Sequence, residues 1–204
     1  MQSEISYLID ALKIPESNVR CEVVDRLSKL KVKEAIPYLI PLLEDSDYRV
    51  RRKTVWALRT LNAKEAIPYL IDLIYDPDDY VRCEVISVLS QLGAKEAIPR
   101  LIASLKIKDK KRDRYIRREA VCALKKLNAK ESIPYLIDLL KDRDSDVCLN
   151  TIWALETFRA KEAINPLIDL INKLDNQVRR EAVRKAYNMV RCHAARVLDK
   201  LQRM

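Results

Sequence analysis

Leu, Ile, Val and Ala recur at helical spacing along the whole chain, and no stretch alternates apolar with polar residues as a half-buried strand would. The pattern predicts pairs of helices. The first helix of a pair opens at a proline and runs apolar, as in Pro68-Tyr69-Leu70-Ile71-Asp72-Leu73-Ile74. Proline suits a first helical turn, where its missing N–H would have no partner anyway. A polar turn follows, such as Asp76-Pro77-Asp78-Asp79. The second helix begins at a β-branched residue followed by Arg (Val50-Arg51, Val81-Arg82, Ile116-Arg117, Val178-Arg179) and ends at an apolar residue eleven positions on (Leu61, Leu92, Leu127, Met189). With that β-branched residue as position 1, positions 1, 5, 8, 9 and 12 are apolar in most pairs and are expected to face the core.

The pairs repeat. Lys33-Glu34-Ala35-Ile36-Pro37 returns at Lys64–Pro68 and Lys95–Pro99, as Lys130-Glu131-Ser132-Ile133-Pro134, and altered as Lys161-Glu162-Ala163-Ile164-Asn165. Successive Lys residues are 31, 31, 35 and 31 residues apart. A fixed period of this length implies a solenoid, in which each repeat buries its apolar face only against its neighbours. Tyr7-Leu8-Ile9 extends the register back into a degenerate first repeat, with Ser6 where proline belongs. Six repeats are therefore predicted, starting near residues 2, 33, 64, 95, 130 and 161, with a capping helix over about 190–204. The expected fold is all-α, a right-handed superhelix forming one domain over 1–204.

The turns carry a second regularity. Three residues before each second helix's first position stands an acid: Glu16, Asp47, Asp78, Asp113, Asp144 and Asp175. One residue after that position stands Arg20, Arg51, Arg82, Arg117 or Arg179, with Cys148 in the fifth repeat. Each acid is placed to cap a second helix at its positive end. Each Arg is within reach of its own acid and of the next repeat's, so a structural ladder is expected, with a gap at Cys148. As surface pairs, its members would each be worth only ~0.2–1 kcal/mol.

The segments Val-Arg-Arg-x-Ala/Thr-Val-x-Ala-Leu and Lys-Glu-Ala-Ile-Pro-Tyr-Leu-Ile-Asp-Leu-Leu resemble HEAT-like repeats of the phycobilisome-lyase type, an armadillo-type α-α superhelix. The resemblance spans nearly the whole chain. The usual Leu-Gly-Asp after the second helix is Leu-Asn-Ala here, as at Leu61-Asn62-Ala63, and Asn can adopt the left-handed conformation Gly would supply. The family holds bilin lyases, phycobilisome-degradation factors, a metal-dependent hydroxylase and engineered binding scaffolds, so the resemblance specifies a repeat rather than an activity.

Residue types narrow the chemistry. The hydroxylase branch uses paired His-Glu motifs, whereas this chain has one His, His193, followed by Ala194. Cys21, Cys83, Cys122, Cys148 and Cys192 form no Cys-x-x-Cys pair. A single glycine, Gly93, leaves no phosphate-cradling loop. No catalytic residue, metal or cofactor is expected.

The resemblance implies that second helices line a concave face. Positions 3, 7 and 10 share one helical stripe and change chemistry from repeat to repeat, which marks them as the exposed surface. Arg52, Trp56, Arg59, Arg118, Lys125, Trp153, Arg180 and Arg184 are the candidate partner-binding residues. Trp flanked by Arg suits a protein interface and also stacks on single-stranded nucleic acid. Trp56 and Trp153 lie three repeats apart, too far to close on one extruded base as a glycosylase pocket does.

Charge divides the chain. Residues 1–102 hold 15 Lys+Arg against 16 Asp+Glu, and residues 103–204 hold 24 against 14. The four-residue insertion that lengthens one period lies in a basic loop with Lys106, Lys108, Lys110, Lys111, Arg112 and Arg114. Such a loop suits an acidic partner. The leading expectation is a non-enzymatic scaffold that binds a protein through its concave face. The alternative is a nucleic-acid-binding module using the basic half, 103–204, and a bilin-related role ranks third. With no secretory leader, no apolar run of ~20 residues and unpaired-looking cysteines, a cytoplasmic protein is expected.

Overall fold

The structure is a computed structural model. It describes residues 2–107, 113–177 and 184–203, except for the side chains of residues 2, 175–177 and 184–188. Lys108, Lys110, Lys111, Arg112, Arg179 and Arg180, and the side chains of Asp175 and Arg184, therefore lie outside the described residues. Among the described residues the fold is all-α, with twelve α-helices and no strand.

The chain divides into two compact units, Met1–Arg100 and Leu101–Met204. In the first unit α1 (Gln2–Ala11) pairs with α2 (Ser17–Lys29), α3 (Ile36–Leu39) with α4 (Tyr48–Thr60), and α5 (Ile67–Asp72) with α6 (Asp79–Leu92). α7 (Ile98–Ser104) spans the division. The second unit continues with α8 (Asp113–Lys126), α9 (Ile133–Leu139), α10 (Ser145–Phe158), α11 (Ile164–Gln177) and α12 (Arg184–Gln202). Residues 190–202, expected in the capping helix, belong to α12, which starts upstream at Arg184.

Local chemistry explains the shape of each pair. The Lys-Glu-Ala segments form single 3₁₀ turns, and the helix proper begins at the following Ile. Pro37 and Pro68 sit in the first turns of α3 and α5. α3 is short because Pro41 cannot donate to the i−4 carbonyl, and the chain continues as a 3₁₀ turn over Ile40–Glu44. After α2, α4, α6, α8 and α10 the backbone passes through the left-handed region, at Lys31, Asn62, Gly93, Asn128 and Arg159, with φ between 54° and 74°. The next residue then donates back five positions, as from Ala63 to Leu58 (2.9 Å) and Ala160 to Leu155 (3.0 Å). This is a Schellman closure repeated at the expected register. Asn62 and Asn128 adopt the conformation foreseen for them. Lys31 and Arg159 adopt it too, at a steric cost that glycine would avoid.

Second helices pack on one another within each unit, α2 on α4 and α4 on α6, then α8 on α10 and α10 on α12. Their core positions are the expected ones: Val50, Thr54, Ala57, Leu58 and Leu61 are all buried, as are Ile116, Ala120, Ala123, Leu124 and Leu127. Position 6 is buried as well (Val24, Val55, Ile86, Val121, Ile152), because a helix sandwiched between two neighbours hides more than one stripe. Each fully buried Leu or Ile contributes about 1.5–3 kcal/mol relative to exposure.

Candidate binding faces and the turn ladder

Asp47, Asp78 and Asp144 cap α4, α6 and α10. Their carboxylates accept the N–H of Arg49, of Tyr80 and Val81, and of Asp146 and Val147. Glu16, at the same position before α2, makes no side-chain cap bond. Asp113 is the first residue of α8 and is buried. Hydrogen bonds from Arg49 hold the Asp47 carboxyl well below the usual carboxylate range.

The Arg residues choose different acids from those expected. Arg51 makes a bidentate pair with Asp76 (2.7 and 2.8 Å), two residues before the next cap rather than the cap itself. Arg20 does the same with Asp45 (2.7 and 2.9 Å) and Arg117 with Asp142 (2.8 and 3.1 Å). The remaining guanidinium nitrogen donates to a carbonyl of the Arg's own turn: Ile14, Asp45, Asp76 and Ile107 accept from Arg20, Arg51, Arg82 and Arg117. Each of these acids also accepts the N–H of the cap residue that follows it, as Asp45 does from Asp47 (2.9 Å) and Asp76 from Asp78 (2.8 Å). One rung thus ties a turn to the turn after it. Arg82, at the end of the first unit, also pairs with Asp79.

These pairs are not on the surface. The Arg51 and Asp76 side chains are 11% and 4% exposed, so the expectation of weak surface pairs is corrected. Desolvated charges of this kind are costly to separate, because removing one leaves the other buried and unpaired. Asp45, Asp76 and Asp142 were missed by the sequence reading. The signal was present as Asp-x-Asp in three turns, where only the second acid was weighed.

At Cys148 the ladder is interrupted. The thiol is buried and donates to the Leu140 carbonyl at 3.5 Å. Burial pushes it up to about 12. The position 25 residues on, an acid after Arg20, Arg51 and Arg117, is Lys173.

On α4, Arg52, Trp56 and Arg59 fall at i, i+4 and i+7 and share one stripe away from the core. Arg52 is exposed, and its guanidinium lies 5.8 Å from the centre of the Tyr80 ring. Trp56 is half-buried under Arg59, which is 5.7 Å above its ring and 3.7 Å from Glu84. Lys53 pairs with Asp25 of α2. The stripe is not uniformly exposed: Cys21, Ser28 and Ser90 share its register but are buried, since small side chains let adjacent helices close over them.

In the second unit Arg118 and Lys125 are half-buried on α8, and Trp153 is 37% exposed on α10. Arg118 lies 5.5 Å above the Tyr115 ring and 3.4 Å from Glu119. The Trp153 ring meets His193 edge-on, with centroids 5.6 Å apart. The Cys122 thiol donates to Asn150 Oδ1 (3.4 Å), and burial raises its pKa. Leu149, at position 3 on α10, is buried. From the basic loop, Lys106 lies over Tyr135 (5.4 Å), and Arg114 lies over Tyr115 (4.8 Å), donates to its hydroxyl (2.9 Å) and comes within 3.7 Å of Asp144.

The sequence matches the profile of HEAT repeats over residues 2–59, 36–114 and 105–188, so the chain belongs to the HEAT-repeat proteins. No curated protein matches it. The complex of CpcE and CpcF of the phycocyanin lyase from Nostoc sp. PCC7120 is similar in structure, at 19% identity and TM-score 0.63, covering 97% of this chain and 94% of that one. An engineered protein from the Northeast Structural Genomics Consortium is similar at 20% identity and TM-score 0.60, covering 98% and 97%. A designed armadillo repeat protein in complex with the peptide (KR)4 is similar at 19% identity and TM-score 0.57, covering 96% and 99%. At these identities the likeness shows the HEAT and armadillo solenoid fold. No helix among the described residues is long and apolar enough to cross a membrane.

Proposed function

We propose that this chain is a non-enzymatic scaffold that holds a protein partner on the concave face of its second helices. The observation that carries the reading is Trp153, a large aromatic left 37% exposed on a second helix whose core positions are closed. Arg118 and Lys125 on the neighbouring α8 supply the cationic setting common around interface anchors. The designed armadillo protein that holds a peptide offers a precedent for such a use of the fold. Cys21, Cys83, Cys122, Cys148 and Cys192 form no disulfide, which fits a reducing compartment such as the cytoplasm.

The test is affinity purification from the source cells with tagged wild-type and Trp153→Ala protein, followed by titration of the recovered partner. Trp153→Ala is expected to weaken binding by about 2 kcal/mol, with the melting temperature nearly unchanged. Intact binding with a large loss of thermal stability would overturn the reading.

The basic half favours a second reading, nucleic-acid binding, because residues 103–204 carry 24 Lys+Arg against 14 Asp+Glu. Affinity for a fluorescent single-stranded oligonucleotide should then fall steeply with added salt. A contact anchored by Trp153 should hardly respond. A bilin-related role rests on family resemblance alone and ranks below both.

A further inference from the structure

The gap in the ladder is also a cavity. In the second unit a space of about 470 Å3 opens between α9, the start of α10, α11 and Val190 of α12. Its floor is apolar: Leu140, Cys148, Leu170 and Leu174 line it. The Cys148 thiol stays neutral, since its burial disfavours the thiolate. Lys141, Arg143 and Lys173 line the same cavity and are exposed. Among the described lining residues two are acids. Asp142 is already held by Arg117 at 2.8 and 3.1 Å, which leaves Asp169 against three cations.

The register explains why the space exists. After Arg20, Arg51 and Arg117 a guanidinium spans from its own turn to an Asp 25 residues on. Here the Arg is Cys148 and the Asp is Lys173, so neither half of the rung is present. Two changes at coupled positions convert a filled, neutral joint into an apolar hollow with a basic rim. The volume lies in the usual range for small-molecule sites, about 300–1,000 Å3, and an apolar lining with a few placed charges is their common composition.

We infer that this cavity binds a small amphipathic anion, an apolar body carrying one carboxylate, sulfonate or phosphate that the rim cations receive. Among the described residues proposed for the protein-binding face, Arg52, Trp56, Arg59, Arg118, Lys125 and Trp153, none lines it, so the two readings are tested separately.

The experiment uses the full chain and 8-anilinonaphthalene-1-sulfonate, whose fluorescence rises on entering an apolar site. One saturable equivalent is expected. Dodecanoate should displace it, and dodecyltrimethylammonium at the same concentration should not. The exposed pair Lys141→Ala/Lys173→Ala should weaken binding at least about fivefold, the loss expected when charge-assisted contacts to the anion are removed. Cys148→Arg/Lys173→Asp, which rebuilds the rung seen at Arg51 and Asp76, should abolish binding, with near-UV circular dichroism confirming the fold. If the rebuilt variant does not fold, the exposed double variant decides alone. Absence of a saturable site, equal displacement by the cationic detergent, or undiminished binding by Lys141→Ala/Lys173→Ala would each overturn the inference.

Discussion

The Arg51–Asp76 joint and the Cys148–Lys173 position occupy the same register of the repeat and are opposite in design. At the first, a bidentate pair and two turn carbonyls close the space between consecutive turns with buried, mutually satisfied charge. At the second, a neutral thiol and an exposed lysine leave that space open. Both positions are framed by the same helix pattern, so the framework tolerates either solution. The rung is therefore a separable module laid over the apolar core and is not a condition for it.

The largest effect should come from breaking the filled joint. Arg51→Ala is expected to cost about 3–5 kcal/mol, because Asp76 stays buried without its partner. Cys148→Ala should cost no more than about 1 kcal/mol, since only a sulfur is lost beside an existing cavity. Urea unfolding of both variants checks this. Equal losses would mean that the rung is not what distinguishes the two positions.

The thiol sharpens the contrast from the other side. With the Cys148 pKa raised, its thiolate is scarce at pH 8, and alkylation by iodoacetamide should be more than about a hundredfold slower than at exposed Cys192. In the unfolded chain the thiol ionises near its ordinary value of 9.0. The fold should therefore lose stability as pH rises from about 9 to about 12, and Cys148→Ala should flatten that limb.

A smaller dependence is expected at the acid end. The Asp47 carboxyl ionises lower in the folded than in the unfolded chain, whose reference value is about 3.9. Its contribution is complete above about pH 4 and lost as pH falls below it. Removing Arg49, the first cause of the shift, should shrink the slope in acid unfolding curves. The smallest effect tests the turns that both joints share: Arg159→Gly should raise stability by about 0.5–1 kcal/mol, because φ at this residue is 54°.

Periodicity made the fold legible. A 31-residue repeat of Pro-led and Val-Arg-led helices can close its apolar face only on its neighbours, and Asn62 pointed to a left-handed turn. The pairing of Arg51 was not legible. Choosing between Asp76 and Asp78 requires knowing which carboxylate turns inward, and this depends on how consecutive turns stack. Nor could spacing alone separate Arg59, laid over Trp56, from Ser28 in the same register and fully covered. Side-chain size decides how closely helices approach, and the stripe repeats position without repeating size. Lys31 and Arg159 in left-handed backbone were hidden for a different reason: the register demands that conformation whatever residue occupies it.

The arrangement in which one guanidinium grips its own turn and the following acid has a consequence for how the protein comes apart. In a linear array, the free energy of opening a terminal element is its own stability plus one nearest-neighbour coupling. Rungs at Arg20, Arg51 and Arg117 add to that coupling; from Cys148 no such rung reaches the next turn among the described residues. Native-state hydrogen exchange should therefore divide at this point. Amides of α11 should exchange through an opening of lower free energy than those of α8 and α10, and the difference should vanish when Cys148→Arg/Lys173→Asp supplies the missing link.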